Sequence, residues 1–273
     1  MKRISSANDI FKRFGDIKRS AEAFTSNIFF SQAKAQYWFE REDFFFECIG
    51  EVFFLFRKDG DFFHLFFVAP GSEALGEALT EMVAKIEFTL VIDFLGSAKD
   101  VEGLCKLFTA HGFSERRKLA RMTRVVEDKL PEIIGEEATF TFAEAGDELA
   151  ILELIAEGFD PYSEQFPTFG EVEKAINNRT ILLFKDEGCI NGLVFFELTG
   201  ISSALRFLYV KETFRRRGLG LGLMRAYIEK CSNVKRFVLW VTLTNSSAIK
   251  LYKNLGYKLE TLIDLVMIRI KTT

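Results

Sequence analysis

Arginines at 215, 216 and 217 stand directly before Gly218, and Gly220 and Gly222 follow at alternate positions. Forked guanidinium donors beside glycines suit a bulky anion. The arginines bring charge, and residues without side chains let the backbone approach closely. The apolar stretch 205–210 ends just before this group, and the amphipathic stretch 219–230 begins just after it. The spacing therefore predicts a strand, a short loop and a helix. The unpaired N–H groups of that helix, at the positive end of its dipole, would converge on one point. Such a point would hold a diphosphate.

Other phosphate loops fit poorly. A P-loop ends in Gly-Lys-Ser/Thr, which this stretch does not. The dinucleotide fingerprint spaces its glycines more widely than 218, 220 and 222. Residues 236–257 carry a second ordered pattern. An apolar run, 237–241, is followed by Asn245 and Ser246 as helix-capping residues, a helical apolar stripe over 248–255, and Gly256 as a stop.

Arg215-x-x-Gly218-x-Gly220 resembles the acyl-CoA loop of the GNAT superfamily of N-acyltransferases. Asn245, Ala248, Tyr252, Gly256 and Tyr257 follow that family's later pattern in type and order. The resemblance implies an acyl-CoA co-substrate, acetyl-CoA foremost. It would be held by Leu208, Tyr209 and Val210 along the pantetheine arm, by Arg215, Arg216, Arg217, Gly218, Leu219, Gly220 and Leu221 at the diphosphate, and by Asn245 and Ala248. It implies Tyr252 as the catalytic residue near the departing sulfur. A phenol titrates near 10 and a thiol near 8.5, at the order-of-magnitude level, so Tyr252 would act mainly as a hydrogen-bond donor. The attacking amine must also lose a proton. Glu197, ending the apolar run 193–196, is the nearest candidate base; an ordinary solvated carboxylate at a strand end is the competing reading.

Composition bounds the alternatives. The chain has 273 residues, nearly half of them apolar, and a net charge of −3, so a sizeable core is available and no broad basic surface for nucleic acid is present. Cys48, Cys105, Cys189 and Cys231 are scattered and the only histidines are His64 and His111, a poor inventory for a metal site. No apolar run approaches the roughly 20 residues that span a bilayer. A cytoplasmic protein with reduced thiols is expected. Many of the 31 phenylalanines crowd the first half, as at 44–46, 53–54, 62–63 and 66–67, and read as buried strands.

The first half repeats the second. At an offset of about 144, residues 62–124 give the same succession as 205–270, with His111-Gly112-Phe113 on Leu255-Gly256-Tyr257. The first copy has Ala69-Pro70-Gly71-Ser72-Glu73 in place of the arginine loop, and Phe108 in place of Tyr252. It keeps the core pattern without the chemical groups and is expected to bind no CoA. The organisation expected is α/β, with tandem GNAT-like domains, each a mixed sheet flanked by helices: a degenerate domain over 1–126, a linker over 127–138, and a catalytic domain over 139–273. Within the second domain, the irregular stretch 159–168 carries Asp160, Tyr162 and Glu164, which suit a cationic acceptor. The function expected is transfer of an acetyl group to a primary amine of a small molecule or peptide in a ternary complex, with no metal, nucleic acid or membrane partner; the oligomeric state stays open. The alternatives are a non-catalytic acyl-CoA sensor and a peptidyl-transferring enzyme using aminoacyl-tRNA, the second disfavoured by the intact loop and the absent basic surface.

Overall fold

A computed structural model describes residues 1–4, 6–21, 24–39, 44–126 and 138–271. The first half forms β1 (Lys2–Arg3), α1 (Ala7–Ser20), β2 (Thr25–Ser26), α2 (Gln32–Phe39), β3 (Phe44–Ile49), β4 (Val52–Asp59), β5 (Phe62–Ala69), α3 (Ser72–Lys85), β6 (Thr89–Ser97), α4 (Ala98–Ala110) and β7 (Ser114–Val125). The second half forms β8 (Phe140–Phe142), α5 (Glu148–Gly158), α6 (Phe169–Asn177), β9 (Ile181–Asp186), β10 (Cys189–Thr199), β11 (Ser202–Val210), a 3-10 turn (Glu212–Phe214), α7 (Leu219–Lys230), β12 (Arg236–Thr242), α8 (Ser246–Asn254) and β13 (Lys258–Arg269). Apart from β2, the two series match member by member.

Two compact units result, and only the second is one continuous stretch. The first comprises residues 1–118 with 262–273, and the second comprises 119–261. Strand order in the first is β1-β3-β4-β5-β6-β13, and in the second β7-β12-β11-β10-β9-β8. Each half thus completes its sheet with the last strand of the other. β7 pairs antiparallel with β12 from Leu119↔Thr242 to Val125↔Arg236, and β13 pairs antiparallel with β6 from Leu262↔Ser97 to Arg269↔Leu90. The repeat predicted a break after 126; the compact units instead give 119–126 to the second and 262–273 to the first. β7 alternates over Ala120–Val125, whereas Leu265, Val266, Met267 and Ile268 of β13 are buried in succession. The linker expected at 127–138 lies, but for Ala138, outside the described residues.

The phenylalanine-rich strands are core, as their β propensity suggested. Phe53, Phe54 and Phe56 of β4 and Phe66 and Phe67 of β5 are all buried. In the second unit the sheet is covered on both faces, and strand alternation assigns the residues. Leu183, Leu193, Phe195 and Phe207 meet α5 and α6. Leu182, Val194, Phe196 and Leu239 meet α7 and α8. The hairpin β9–β10 turns at Glu187 and Gly188 with φ of 49° and 78°, the pair of positive values a tight hairpin needs. Gly222 lets α7 lie against β8, since a Cβ there would fall 2.5 Å from the Phe140 ring. Helix α6 was not anticipated from the sequence; Thr168 and Glu171 form a capping box at its start.

Candidate functional site

The site begins where two parallel strands part. β11 and β12 are in register only from Ser202↔Arg236 to Leu205↔Leu239. Beyond Leu205, β11 stays paired with β10 as far as Val210↔Gly192. Its other edge, residues 206–210, meets no further strand among the described residues. Leu208, Tyr209 and Val210 therefore lie along an open strand edge. Gly192 permits this closeness on the paired side, where a Cβ would lie 3.3 Å from the Tyr209 carbonyl oxygen.

The arginine–glycine loop follows directly. Gly218 caps α7 in the left-handed region, φ 81°, without a side-chain cap. Arg216 also takes a positive φ, 64°. The first turn of α7 leaves the N–H groups of Leu219, Gly220 and Leu221 without intrahelical acceptors, the first α7 bond being Gly222 N–H to the Gly218 carbonyl. Gly218 is exposed, and a Cβ on it would touch nothing within 4 Å. The backbone here is open to an anion, so the residues present fit the diphosphate of CoA. The arginines divide their work. Arg215 turns back, its Nε donating to the Val210 carbonyl at 2.9 Å and its guanidinium lying 5.5 Å from the Tyr209 ring centre. Arg217 packs on Phe214 and donates to the Thr213 carbonyl. Arg216 projects from an exposed position.

Helix α8 stands beside the open edge in sequence order and holds the other expected residues. The Asn245 side chain accepts from Ala248 N–H at 3.1 Å and starts the helix. Tyr252 is buried, 7% exposed, in the core formed with α7. Burial pushes its phenol well above its ordinary value, and the Glu164 carboxylate adds to this. Within the irregular stretch 159–168, the N–H groups of Ser163 and Glu164 both donate to the Asp160 carbonyl, closing a turn.

Glu197 sits at the far end of the same hairpin, opposite Ala204. Its side chain is half exposed and ion-paired to Arg206 at 3.1 Å. Arg206 also donates to the Gln165 carbonyl at 2.7 Å, so β11 and the irregular stretch 159–168 share one guanidinium. Sequence inspection passed over Arg206, although a charge inside an apolar strand was a signal. It also passed over Glu157, which accepts a 2.9 Å hydrogen bond from the Tyr209 hydroxyl. Burial and this carboxylate raise the Tyr209 pKa. Gly158 makes the contact fit: a Cβ there would fall 2.3 Å from the Tyr209 ring.

The first unit repeats the geometry with the gap filled. β5 and β6 are in register only from Phe62↔Thr89 to His64↔Val91. With β4 along its other edge, β5 then receives β2 at Val68↔Ser26 and Ala69↔Thr25. Buried Asn27 donates to the Leu65 and Asp93 carbonyls at 3.0 and 3.3 Å and accepts from Phe67 N–H at 2.7 Å. The chain's own backbone and one amide side chain thus occupy the slot that β11 leaves open. Helix α3 starts at Gly71 with Glu73 in its first turn, where α7 has arginines nearby. The correspondence extends to the helix ends. Phe113 N–H bonds the Phe108 carbonyl and Tyr257 N–H bonds the Tyr252 carbonyl, with Gly112 and Gly256 both at φ 84°. Phe108 therefore stands where Tyr252 stands.

The second unit thus combines a splayed parallel pair, open amides at the next helix start and a buried tyrosine one helix later. Residues 149–257 match the acetyltransferase (GNAT) family. Solved structures share the fold. A GCN5-related N-acetyltransferase from Sphaerobacter thermophilus is 18% identical with a TM-score of 0.60, over 80% of this chain and 76% of that one. A GNAT-family acetyltransferase from Colwellia psychrerythraea is 11% identical with a TM-score of 0.58, over 99% of each chain. A tandem GNAT protein from the clavulanic acid biosynthesis pathway is 11% identical with a TM-score of 0.59, over all of this chain and 98% of that one. No curated protein matches the chain in sequence. Among the described residues no helix is long and apolar enough to cross a membrane, and no group of three His, Cys, Asp or Glu could hold a metal.

Proposed function

We propose that the second unit transfers an acyl group, acetyl foremost, from acyl-CoA to a primary amine of a small molecule or peptide bound at the same time. The observation that carries this reading is the open edge of β11 leading to unpaired amides at 219–221. Gly218, Leu219, Gly220 and Leu221, with Arg216 and Arg217, would hold the diphosphate through backbone donors and charge. Leu208, Tyr209 and Val210 would hold the pantetheine arm along the strand edge, and Asn245 and Ala248 would flank it from α8. Arg215, engaged with Val210 and Tyr209, braces the loop against the strand.

Bound acyl-CoA supplies an activated thioester. The chain supplies position and protons. Tyr252 keeps its proton across neutral pH because burial opposes the phenolate, so it acts as a hydrogen-bond donor toward a developing thiolate. Glu197 is the proposed acceptor of the ammonium proton, with Arg206 fixing its carboxylate. An ammonium titrating near 10, to order of magnitude, needs such help before it can attack. Asp160 and Glu164, with the neutral Tyr162 between them in sequence, would give the acceptor side carboxylates that favour a cationic amine.

A calorimetric titration with acetyl-CoA, followed by a transfer assay over a panel of amines, tests this. One CoA per chain and transfer to some amine are expected, with Tyr252→Phe lowering kcat more than it weakens CoA binding. Binding without transfer to any amine would favour the sensor. Two CoA per chain would contradict the single site.

A further inference from the structure

We propose that Arg124, on strand β7 from the first half of the chain, is a positioning residue for Tyr252. The inference rests on Tyr252 acting in acyl transfer. It starts from the end of α8, a helix of nine residues and too short to hold itself. Tyr257 N–H bonds the Tyr252 carbonyl and Gly256 N–H bonds the Lys253 carbonyl, both at 3.0 Å. Those two bonds close the helix around left-handed Gly256 and leave the Leu255 carbonyl over. Arg124 takes it, Nε to oxygen at 2.7 Å, in a buried bond between elements 131 residues apart.

This contact is more than a filler. Arg124 is 3% exposed, so its charge lies in a low-dielectric setting, at the negative end of the α8 dipole. It faces Phe237 across the β7–β12 ladder, with its guanidinium 5.9 Å from that ring's centre. Its field also reaches the Tyr257 phenol, whose ring centre lies 5.9 Å from that of Tyr252. With Asn245 at the other end, α8 is held at both ends by side chains, and Tyr252 is one turn from the arginine.

The first unit supplies the control. Gly112 and Gly256 hold the same place in the two copies, and twelve residues further on lie Arg124 and Ile268. β13, carrying Ile268, takes in the first unit the place that β7 takes in the second. The copy with tyrosine on its helix has the arginine; the copy with Phe108 has isoleucine. In that copy Arg269, beside Gly112, instead donates to the Ile86 and Val83 carbonyls at the end of α3.

The test is a mutant cycle with a structural readout in the full chain. Arg124→Met is expected to lower kcat about tenfold with KM for acetyl-CoA within about twofold, as a small misplacement of a reacting group does. In a Tyr252→Phe background the same change should cost nothing further, because the tyrosine it positions is already gone. Arg124→Lys should restore part of the loss. Hydrogen exchange should quicken at amides 249–257 in Arg124→Met and stay unchanged in α7. Equal losses with and without the Tyr252 hydroxyl, or unaltered protection of α8, would overturn the proposal. If Tyr252→Phe alone leaves kcat unchanged, the catalytic reading of Tyr252 fails instead, and hydrogen exchange still decides whether Arg124 holds the helix. Should Arg124→Met fail to fold, Arg124→Gln, which keeps a donor without the buried charge, carries the same comparison.

Discussion

The two units share a strand-and-helix order and even the hydrogen bonds that end α4 and α8, yet they treat one feature in opposite ways. Both part a parallel strand pair after three or four registered residues. In the second unit the parted edge is open and leads to arginines and unpaired amides. In the first it is closed by Thr25, Ser26 and Asn27, and the next helix begins with Pro70, Gly71 and Glu73. The fold depends on the apolar pattern, which both copies keep. The capacity to bind a ligand depends on what is left unpaired. A copy can lose that capacity by satisfying its own backbone, at no cost to its core.

The sharpest way to break this comparison is to separate the halves. A fragment covering 139–273 lacks residues 119–125, which pair along the whole of β12 and bury Met122 and Arg124. Its β12 becomes a bare apolar edge, and the second half of β13 loses its partner β6. The fragment is expected not to fold, giving no cooperative thermal transition by circular dichroism, and co-expression with 1–126 should restore it. A fragment that melts cooperatively alone would show the exchanged strand to be dispensable.

The next test is local. Gly218→Val places a β-branched residue at φ 81°, at a cost of about 1–2 kcal/mol, although no neighbour stands in its way. The loop should relax to another shape, weakening acetyl-CoA binding by about tenfold or more in a titration. Because Gly218 is exposed, the cost is confined to this backbone strain and Tm should fall by no more than about 5 °C. Unchanged affinity would mean that the amides after Gly218 do not grip the ligand.

These two tests also mark what the sequence could reveal. The loop, the capped helix α8 and the equivalence of Phe108 with Tyr252 were legible, because each rests on residues within one or two turns of each other. Asn27 was not: its partners Leu65, Phe67 and Asp93 lie 38, 40 and 66 residues away. The bond between Arg124 and Leu255 spans 131 residues and leaves no short-range trace. The exchange of β7 and β13 was hidden for a different reason. β7 and β13 each follow their own copy's last helix, so chain order assigns them there, while the ladders β7–β12 and β13–β6 join residues more than a hundred positions apart.

Asn27→Ala sharpens the contrast between a closed and an open slot. The variant removes the acceptor for buried Phe67 N–H and the donor for two carbonyls, which should destabilise the protein by about 3 kcal/mol. Acetyl-CoA stoichiometry in a titration should stay at one per chain, because the first unit still lacks the arginine loop. A second equivalent of ligand would mean that the plug alone had kept the slot inactive.

The smallest expected effect concerns charges at the closed slot. His64, 3% exposed, shares its Nε2 with an Asp59 oxygen at 3.2 Å and pairs across the ladder with Arg57. Burial, with the Arg57 charge, pushes its pKa down to about 4. Burial pushes Asp93, two residues beyond the last registered pair, up to about 6. The two act in opposite directions on stability. The unfolded chain charges His64 from about pH 6.5 downward and the folded chain does not, so its contribution is full above that pH and fades toward pH 4. Asp93 takes up its proton earlier when folded, so its contribution grows as pH falls through 6 and is complete below the ordinary aspartate range. Between pH 6 and 4 they largely cancel, and the wild-type Tm should be nearly flat there as far as this cluster governs it. Asp93→Asn removes one side of the balance. Its Tm should fall by on the order of 5 °C more than that of the wild type over the same interval. Parallel curves for the two proteins would mean that His64 and Asp93 do not titrate against each other inside the first unit.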